Sequence, residues 1–186
     1  MAKVNKSKYA LLGILGNKPG SGYDIKKMCD SSIGHFWNEN FGHIYPMLQK
    51  MEEEKLITKE IKQTEGKQTK NIYSITEKGK EELENWLMLP IEKVPMRSEL
   101  LLKLFLSKDI AAKNIMEIIQ KEKKDSENNL EKFLEIESFL NSKKNQIDKK
   151  NLVLWLSTIS YGKHSEESKI KWCEETLKSL EEIKEL

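Results

Sequence analysis

Little in this sequence ties it to catalysis, to an oxidising compartment or to a membrane. Only two of its 186 residues are cysteines, Cys29 and Cys173. They lie far apart and in no CxxC or Cys/His cluster, which points to free thiols in a reducing compartment rather than a disulfide framework. The three histidines, His35, His43 and His164, are scattered. No HExxH, Gly-x-Ser-x-Gly or P-loop pattern occurs, so neither a metal, a cofactor nor an enzymatic site is expected. No apolar run approaches the ~18 residues that a membrane span requires. The opening MAKVNKSKYALLGILG sets lysines before an apolar stretch, but that stretch is too short for a signal peptide. No small-residue cleavage site follows and charge resumes at Lys18, so a cytoplasmic location is expected. Arginine is almost missing, Arg97 being the only one.

What is present is a charged, helix-forming chain. Charged residues make up 33% and apolar ones 38%, with few glycines and prolines, the profile of a soluble and largely helical globular protein. The length fits one large or two small domains. The net charge of +2 hides an asymmetry, because residues 1–80 hold fourteen lysines against nine acidic residues while the remainder is slightly acidic. A basic front half suits an anionic partner.

Ser7 to Gly16 reads as a short buried helix through Tyr9, Leu11, Leu12, Ile14 and Leu15, closed by a glycine cap. The turn-forming Asn17-Lys18-Pro19-Gly20-Ser21-Gly22 follows. A second helix starts near Tyr23, with Ile25, Met28 and Cys29 inward, and breaks at Ser31–Gly34. A third runs from about Asn40, a suitable N-cap, to Lys55. Its apolar face is expected at Phe41, Ile44, Tyr45, Leu48 and Met51, with a local distortion where Pro46 removes a backbone hydrogen bond.

Leu56–Thr64 and Gln68–Ile75 then read as strands joined by Glu65-Gly66-Lys67, a hairpin with Ile57 and Ile61 on one face and Tyr73 and Ile75 on another. Thr76-Glu77-Lys78-Gly79 opens a fourth helix through Leu83, Trp86 and Leu87, stopped by Pro90. Three helices, a hairpin and a helix are the order of a winged helix-turn-helix. The expected domains are 1–90 for this unit and 91–186 for a helical one, with the linker Ile91–Val94 between Pro90 and Pro95. The rear half carries no strand signal. A short helix holds Leu100, Leu101, Leu104 and Phe105, a long one covers Ile110 to about Ser142, and the last runs from about Lys150 to Leu186 with a bend expected at Gly162. The fold class is therefore mostly α with a small β-hairpin wing.

In a winged helix the third helix enters the major groove and the wing reaches the flanking backbone. With Ile44, Leu48 and Met51 inward, the opposite stripe falls at Asn40, His43, Met47 and Lys50, flanked by Gly42, Pro46 and Gln49. Amide side chains pair with adenine, and lysine reaches guanine or phosphate. Lys67 and Lys70 at the wing tip, with Lys59 and Lys62 on its first strand, would neutralise phosphates.

Several short segments, in order, carry a resemblance. They are Ser21-Gly22-Tyr23-Asp24-Ile25, Trp37, Gly42-His43-Ile44-Tyr45-Pro46-Met47-Leu48-Gln49-Lys50-Met51-Glu52, Leu56-Ile57 and Tyr73-Ser74-Ile75-Thr76-Glu77-Lys78-Gly79. With them the chain resembles the PadR family of transcriptional regulators across residues 7–87. Arg97-Ser98-Glu99-Leu100-Leu101-Leu102-Lys103-Leu104-Phe105 and the closing Gly162…Trp172 with Leu177 and Leu180 resemble that family's helical dimerisation domain. The resemblance implies a homodimeric repressor that grips palindromic double-stranded DNA. It completes the DNA-contacting set as Asn40, Gly42, His43, Tyr45, Pro46, Met47, Gln49, Lys50, Lys67 and Lys70. Where the family often has Gln before the Ile-Tyr-Pro run this chain has His43, so base preference does not carry over there. Lysines must also supply the wing contacts, without the bidentate fork of arginine.

Three questions stay open at this level. Ile170, Cys173, Leu177 and Leu180 form a coiled-coil-like seam that either meets a second subunit or packs on the chain's own long helix. The resemblance also implies release by a small aromatic effector, for which Trp155, Trp172, Phe133 and Phe139 offer a lining and Arg97 a carboxylate partner. The other reading makes these aromatics core and Arg97 a salt-bridge residue. Finally, a winged helix also serves as a protein-interaction module, and salt dependence separates that use from DNA binding.

Overall fold

The computed structural model of the chain describes residues 5–62 and 69–184. They form two compact units, Met1–Val94 and Pro95–Leu186. Among the described residues no helix is long and apolar enough to cross a membrane.

The first unit packs around α1 (Lys6–Asn17), which begins where the Asn5 side chain accepts the Ser7 amide at 3.1 Å. Leu11, Leu12 and Leu15 are fully buried because α2, α3, α4 and the sheet all surround this helix. Gly16 lies within α1 and does not cap it; the helix ends at Asn17 with Lys18 as cap, whose N–H donates to the Ile14 carbonyl. α2 (Gly22–Ser32) opens with a reciprocal capping box in which Ser21 Oγ accepts the Asp24 amide and the Asp24 carboxylate accepts the Ser21 amide. The Ser21 hydroxyl, donating to the Asp24 carboxylate at 2.6 Å, and then the Ser21 amide hold that carboxyl below the usual range.

The third helix, α3 (Phe41–Glu53), is continuous through Pro46. Lys55, just past its end, sits at φ 62°, and the Leu56 amide turns back to the Met51 carbonyl at 2.9 Å. This left-handed reversal turns the chain into β1 (Ile57–Lys62), which pairs antiparallel with β2 (Lys70–Ile75) in the register Ile57↔Ile75 to Lys62↔Lys70. The residues that join the strands, 63–68, lie outside the described residues, Lys67 among them. Gly20 adds a short third rung, exchanging both backbone hydrogen bonds with Tyr73 at 3.1 and 2.9 Å. Ile61 does not share the buried face of Ile57: it is 70% exposed, because only the base of the hairpin touches the core.

Thr76 caps α4 (Glu77–Leu87) by accepting the Gly79 amide at 3.1 Å. α4 closes the unit on α1. The Tyr9 and Trp86 rings stack at 4.4 Å and 5°, and Glu82 accepts from Lys8 at 2.6 Å and Tyr9 at 3.1 Å. The Lys8 ammonium foremost holds the Glu82 carboxyl below its ordinary value.

The second unit contains α5 (Glu99–Leu106), α6 (Ala112–Ser142) and α7 (Lys149–Lys184). α6 and α7 form an antiparallel hairpin whose register is set by Lys169–Glu122, Lys123–Glu174 and Lys163–Glu137, each 2.7 Å. α7 runs unbroken through Gly162, so the expected bend does not occur there. Gly162 instead removes the side chain that would strike the Phe133 ring, letting the two helices approach closely. The terminal seam packs within the chain: Cys173 is fully buried with Ile115 and Ile119, and Leu177 and Leu180 lie against that cluster. Part of the seam therefore packs on the chain's own long helix, with Leu177 and Leu180 only partly buried.

Both thiols are buried, and burial foremost pushes them up, Cys29 to about 11. Thiolate is the reactive form, so native protein at pH 7.5 should show almost no fast reaction with an aromatic disulfide reagent, and two equivalents after denaturation. Rapid native labelling of either cysteine would contradict this placement.

Candidate nucleic-acid interface

The outer face of α3 is built by its two ends and its inner stripe. Asn40 caps the helix, its Oδ1 accepting the His43 amide at 3.0 Å. Just before it, the buried Glu39 accepts the Trp37 indole N–H at 2.6 Å, tying down the chain that leads into the helix. The inner stripe is Ile44, Met47, Leu48 and Met51. At about 100° per residue, the opposite face is then centred on Gly42, Pro46 and Gln49. Phe41 and Tyr45 border it on one side, and His43 and Lys50 on the other.

This phase corrects the sequence reading at three positions. Met47 is 7% exposed and belongs to the core, so it presents nothing to a groove. Phe41 and Tyr45, expected inside, are 43% and 50% exposed. Gly22 shows why Tyr45 lies outward. A Cβ there would stand 2.5 Å from Tyr45 Cε1, so the ring lies directly over the first turn of α2. The other α3 residues expected at the interface, Asn40, Gly42, His43, Pro46, Gln49 and Lys50, are all exposed. Lys50 has one loose partner, Glu54 at 3.8 Å, and Gln49 donates to Glu53 at 3.3 Å.

The hairpin contributes cations. Lys62 and Lys70 are register partners and both exposed. Like charges directly opposite one another disfavour strand pairing, a cost that a bound polyanion offsets. Lys59 sits lower on the hairpin and is partly engaged with Glu52 at 3.7 Å. Lys70 and Lys18 also act on Asp24 at the start of α2, which places cationic charge beside the turn.

The residues read as an effector pocket are not brought together. Trp155 and Trp172 are seventeen residues apart on one continuous helix, roughly 25 Å at 1.5 Å per residue. Trp172 packs against the Ile115–Cys173 cluster, Phe133 is buried against Gly162, and Arg97 is exposed ahead of α5. Phe139 lines a shallow groove on α6 with Glu131, Leu134, Glu135, Ser138 and Ser142. Sequence reasoning missed Glu39 and the outward rings of Tyr23 and Phe41. A buried glutamate has no sequence signal, and Gly22, read only as part of a turn, is where the Tyr45 ring comes close.

Comparison with known proteins agrees with this geometry. The family model described as the transcriptional regulator PadR-like family matches residues 11–85, and one described as the virulence activator alpha C-terminal region matches residues 96–181. The negative transcriptional regulator PadR of Bacillus subtilis is 40% identical over 81 residues, 44% of each chain, so the match spans less than half of that curated relative's length. The fold extends further. The structure of that PadR in complex with operator DNA superposes with a TM-score of 0.81 at 23% identity, covering 96% of this chain and 99% of the other. Its complex with p-coumaric acid gives 0.74 at 24% identity, covering 97% and 99%. The structure of smu.1604c from Streptococcus mutans gives 0.75 at 32% identity, covering 91% of this chain and 97% of that one.

Proposed function

Because the chain belongs to the PadR-like family of transcriptional regulators, we propose that it is a cytoplasmic, homodimeric repressor. In this reading it binds a palindromic operator through α3 and the hairpin. The observation that carries the reading is the exposed α3 face, Gly42, Pro46 and Gln49 at its centre with His43 and Lys50 beside it, together with a hairpin that sets two exposed lysines opposite each other. Gln49 is the amide side chain suited to an adenine edge, while Asn40 caps the start of the reading helix. Gly42 lets the backbone come close to a phosphate. Lys50, Lys62 and Lys70 supply charge, with Lys67 of the wing tip assigned the same role.

Besides the terminal seam, which the chain's own α6 covers in part, a second apolar surface is available for the dimer. α5 turns Leu100 and Leu104 inward yet exposes Leu101, Leu102, Phe105 and Leu106. Apart from the Glu99–Lys103 stripe this helix is apolar, and an apolar surface that wide on one helix is expected to be covered. Val153, Leu154 and Trp155 on the first half of α7 are likewise exposed. These two faces are the proposed contact between subunits. Trp155 then sits in the dimer interface, the place assigned here to a small aromatic acid of the kind bound by the structurally similar Bacillus PadR.

The test is a fluorescence anisotropy titration against DNA upstream of the chain's own gene, with sedimentation of the same sample. Two chains per particle are expected at micromolar concentration. Six or more neutralised phosphates would weaken binding by about a thousandfold between roughly 50 and 200 mM salt. Added p-coumaric acid should release the DNA. A single-chain mass would overturn the dimer. Salt-independent binding, or none to any genomic fragment, would favour a winged helix that contacts protein.

A further inference from the structure

Three aromatic rings stand in a row on the surface beside the α3 face. Tyr23, on the first turn of α2, lies 6.5 Å from Phe41 with the rings 13° apart, and Phe41 lies 6.1 Å from Tyr45 at 19°. None of the three belongs to the core, and Tyr23 is the most exposed, at 63%. The row is held by the fold, since Gly22 admits the Tyr45 ring over α2 and the capped start of α3 fixes Phe41 as its first residue. Stacked apolar surface left in water is unfavourable and marks a surface that something covers.

The chemistry of the three rings differs. A tyrosine hydroxyl can donate to a phosphate, so an exposed tyrosine in such an interface carries no information about the base. Phe41 has no polar atom on its side chain and gains only from an apolar surface. On the major-groove edge of duplex DNA that surface is the C5-methyl of thymine. Phe41 is also the first residue of α3, at the end of a recognition helix that meets base edges. Its ring is continuous around the helix with Tyr45, Gln49 and Gly42.

We propose that Phe41 is a specificity-determining residue that selects thymine at one position of each half-site by packing on its 5-methyl group. Tyr23 and Tyr45 are the positioning residues that hold its ring in line. The inference rests on the DNA-binding reading above and adds to it a base and the atom read.

Deoxyuridine tests this directly, because it removes the methyl group and leaves pairing unchanged. Each thymine of a tightly bound operator is replaced in turn by deoxyuridine, and affinity is measured for the wild type, Phe41→Ala and Phe41→Leu. One position per half-site should weaken wild-type binding about fourfold, the worth of one buried methyl. Phe41→Ala should bind the thymine and deoxyuridine duplexes equally, and Phe41→Leu should keep part of the difference. A wild type that binds its operator specifically but ignores every deoxyuridine overturns the proposal and leaves the DNA-binding reading standing. So does a Phe41→Ala variant that retains the fourfold difference. If Phe41→Ala fails to fold, the wild-type scan and Phe41→Leu still decide. A chain that binds no duplex removes both readings together.

Discussion

Replacing Gln49 and Lys50 together by alanine is expected to lower operator affinity about a hundredfold while leaving the melting temperature unchanged. The size follows from what each side chain supplies to the complex. A bidentate amide–base pair contributes about 1–3 kcal/mol of discrimination, and a lysine adds a charge-dependent bond to phosphate or guanine. Removing both at about 1.5 kcal/mol per half-site costs the dimer about 3 kcal/mol, near two powers of ten. Stability is spared because both side chains are exposed, and their partners, Glu53 at 3.3 Å and Glu54 at 3.8 Å, are surface neighbours of little energetic weight. The single variants should differ in kind. Gln49→Ala should flatten preference among sequences, and Lys50→Ala should reduce the slope of affinity against salt. Titrations at several salt concentrations, paired with thermal melts, check both. A double variant of wild-type affinity would remove α3 from the interface.

Gly79→Ala is the substitution expected to damage the fold most. The glycine is buried in the first turn of α4, and an added Cβ would overlap the backbone carbonyl oxygen of Leu56 and crowd Ile75. That carbonyl cannot move freely. It accepts from the Thr76 amide and hydroxyl, both at 3.0 Å, at the point where α3 hands over to β1. Overpacking against a fixed backbone costs about 3 kcal/mol, a large share of a small domain's stability. Thermal melting should show the loss, and operator binding should fall with it because β1, β2 and the end of α3 meet at this joint. Gly13→Ala is the matched control, since a Cβ there meets nothing within 4 Å. A Gly79→Ala protein that melts like the wild type would refute the packing described for this joint.

The sequence read well where structure is decided locally. The turn-forming run Asn17–Gly22 ahead of α2, the Asn40 cap of α3 and the Thr76-Glu77-Lys78-Gly79 opening of α4 each announce an element boundary by their own hydrogen-bonding chemistry. Their order along the chain was enough to specify a winged helix followed by a helical unit. The phase of α3 was not decided locally. The apolar set Phe41, Ile44, Tyr45 and Leu48 is as regular as Ile44, Met47, Leu48 and Met51, and helical spacing alone does not choose between them. Tertiary contacts choose: α2 meets α3 closely at Gly22, and the Tyr45 ring fills that approach from outside the core.

The same limit explains the rear half. An amphipathic stripe such as Ile170–Leu180 states that it will be covered, but the covering surface is set by the antiparallel register of α6 and α7 and its cross-helix ion pairs. The tryptophans are another case. As residue types Trp155 and Trp172 suit an aromatic ligand, yet one continuous helix separates them by several turns.

The most direct test of the account is selection of duplexes from a random-sequence pool by the full chain at about 100 mM salt. The account predicts a palindromic consensus with half-sites roughly 10 bp apart, bound at least a thousandfold more tightly than random duplex. That preference should fall by at least tenfold in the Gln49→Ala, Lys50→Ala variant. A pool that shows no enriched sequence, or one that the variant enriches equally, would contradict the assignment of α3 as the element that reads DNA.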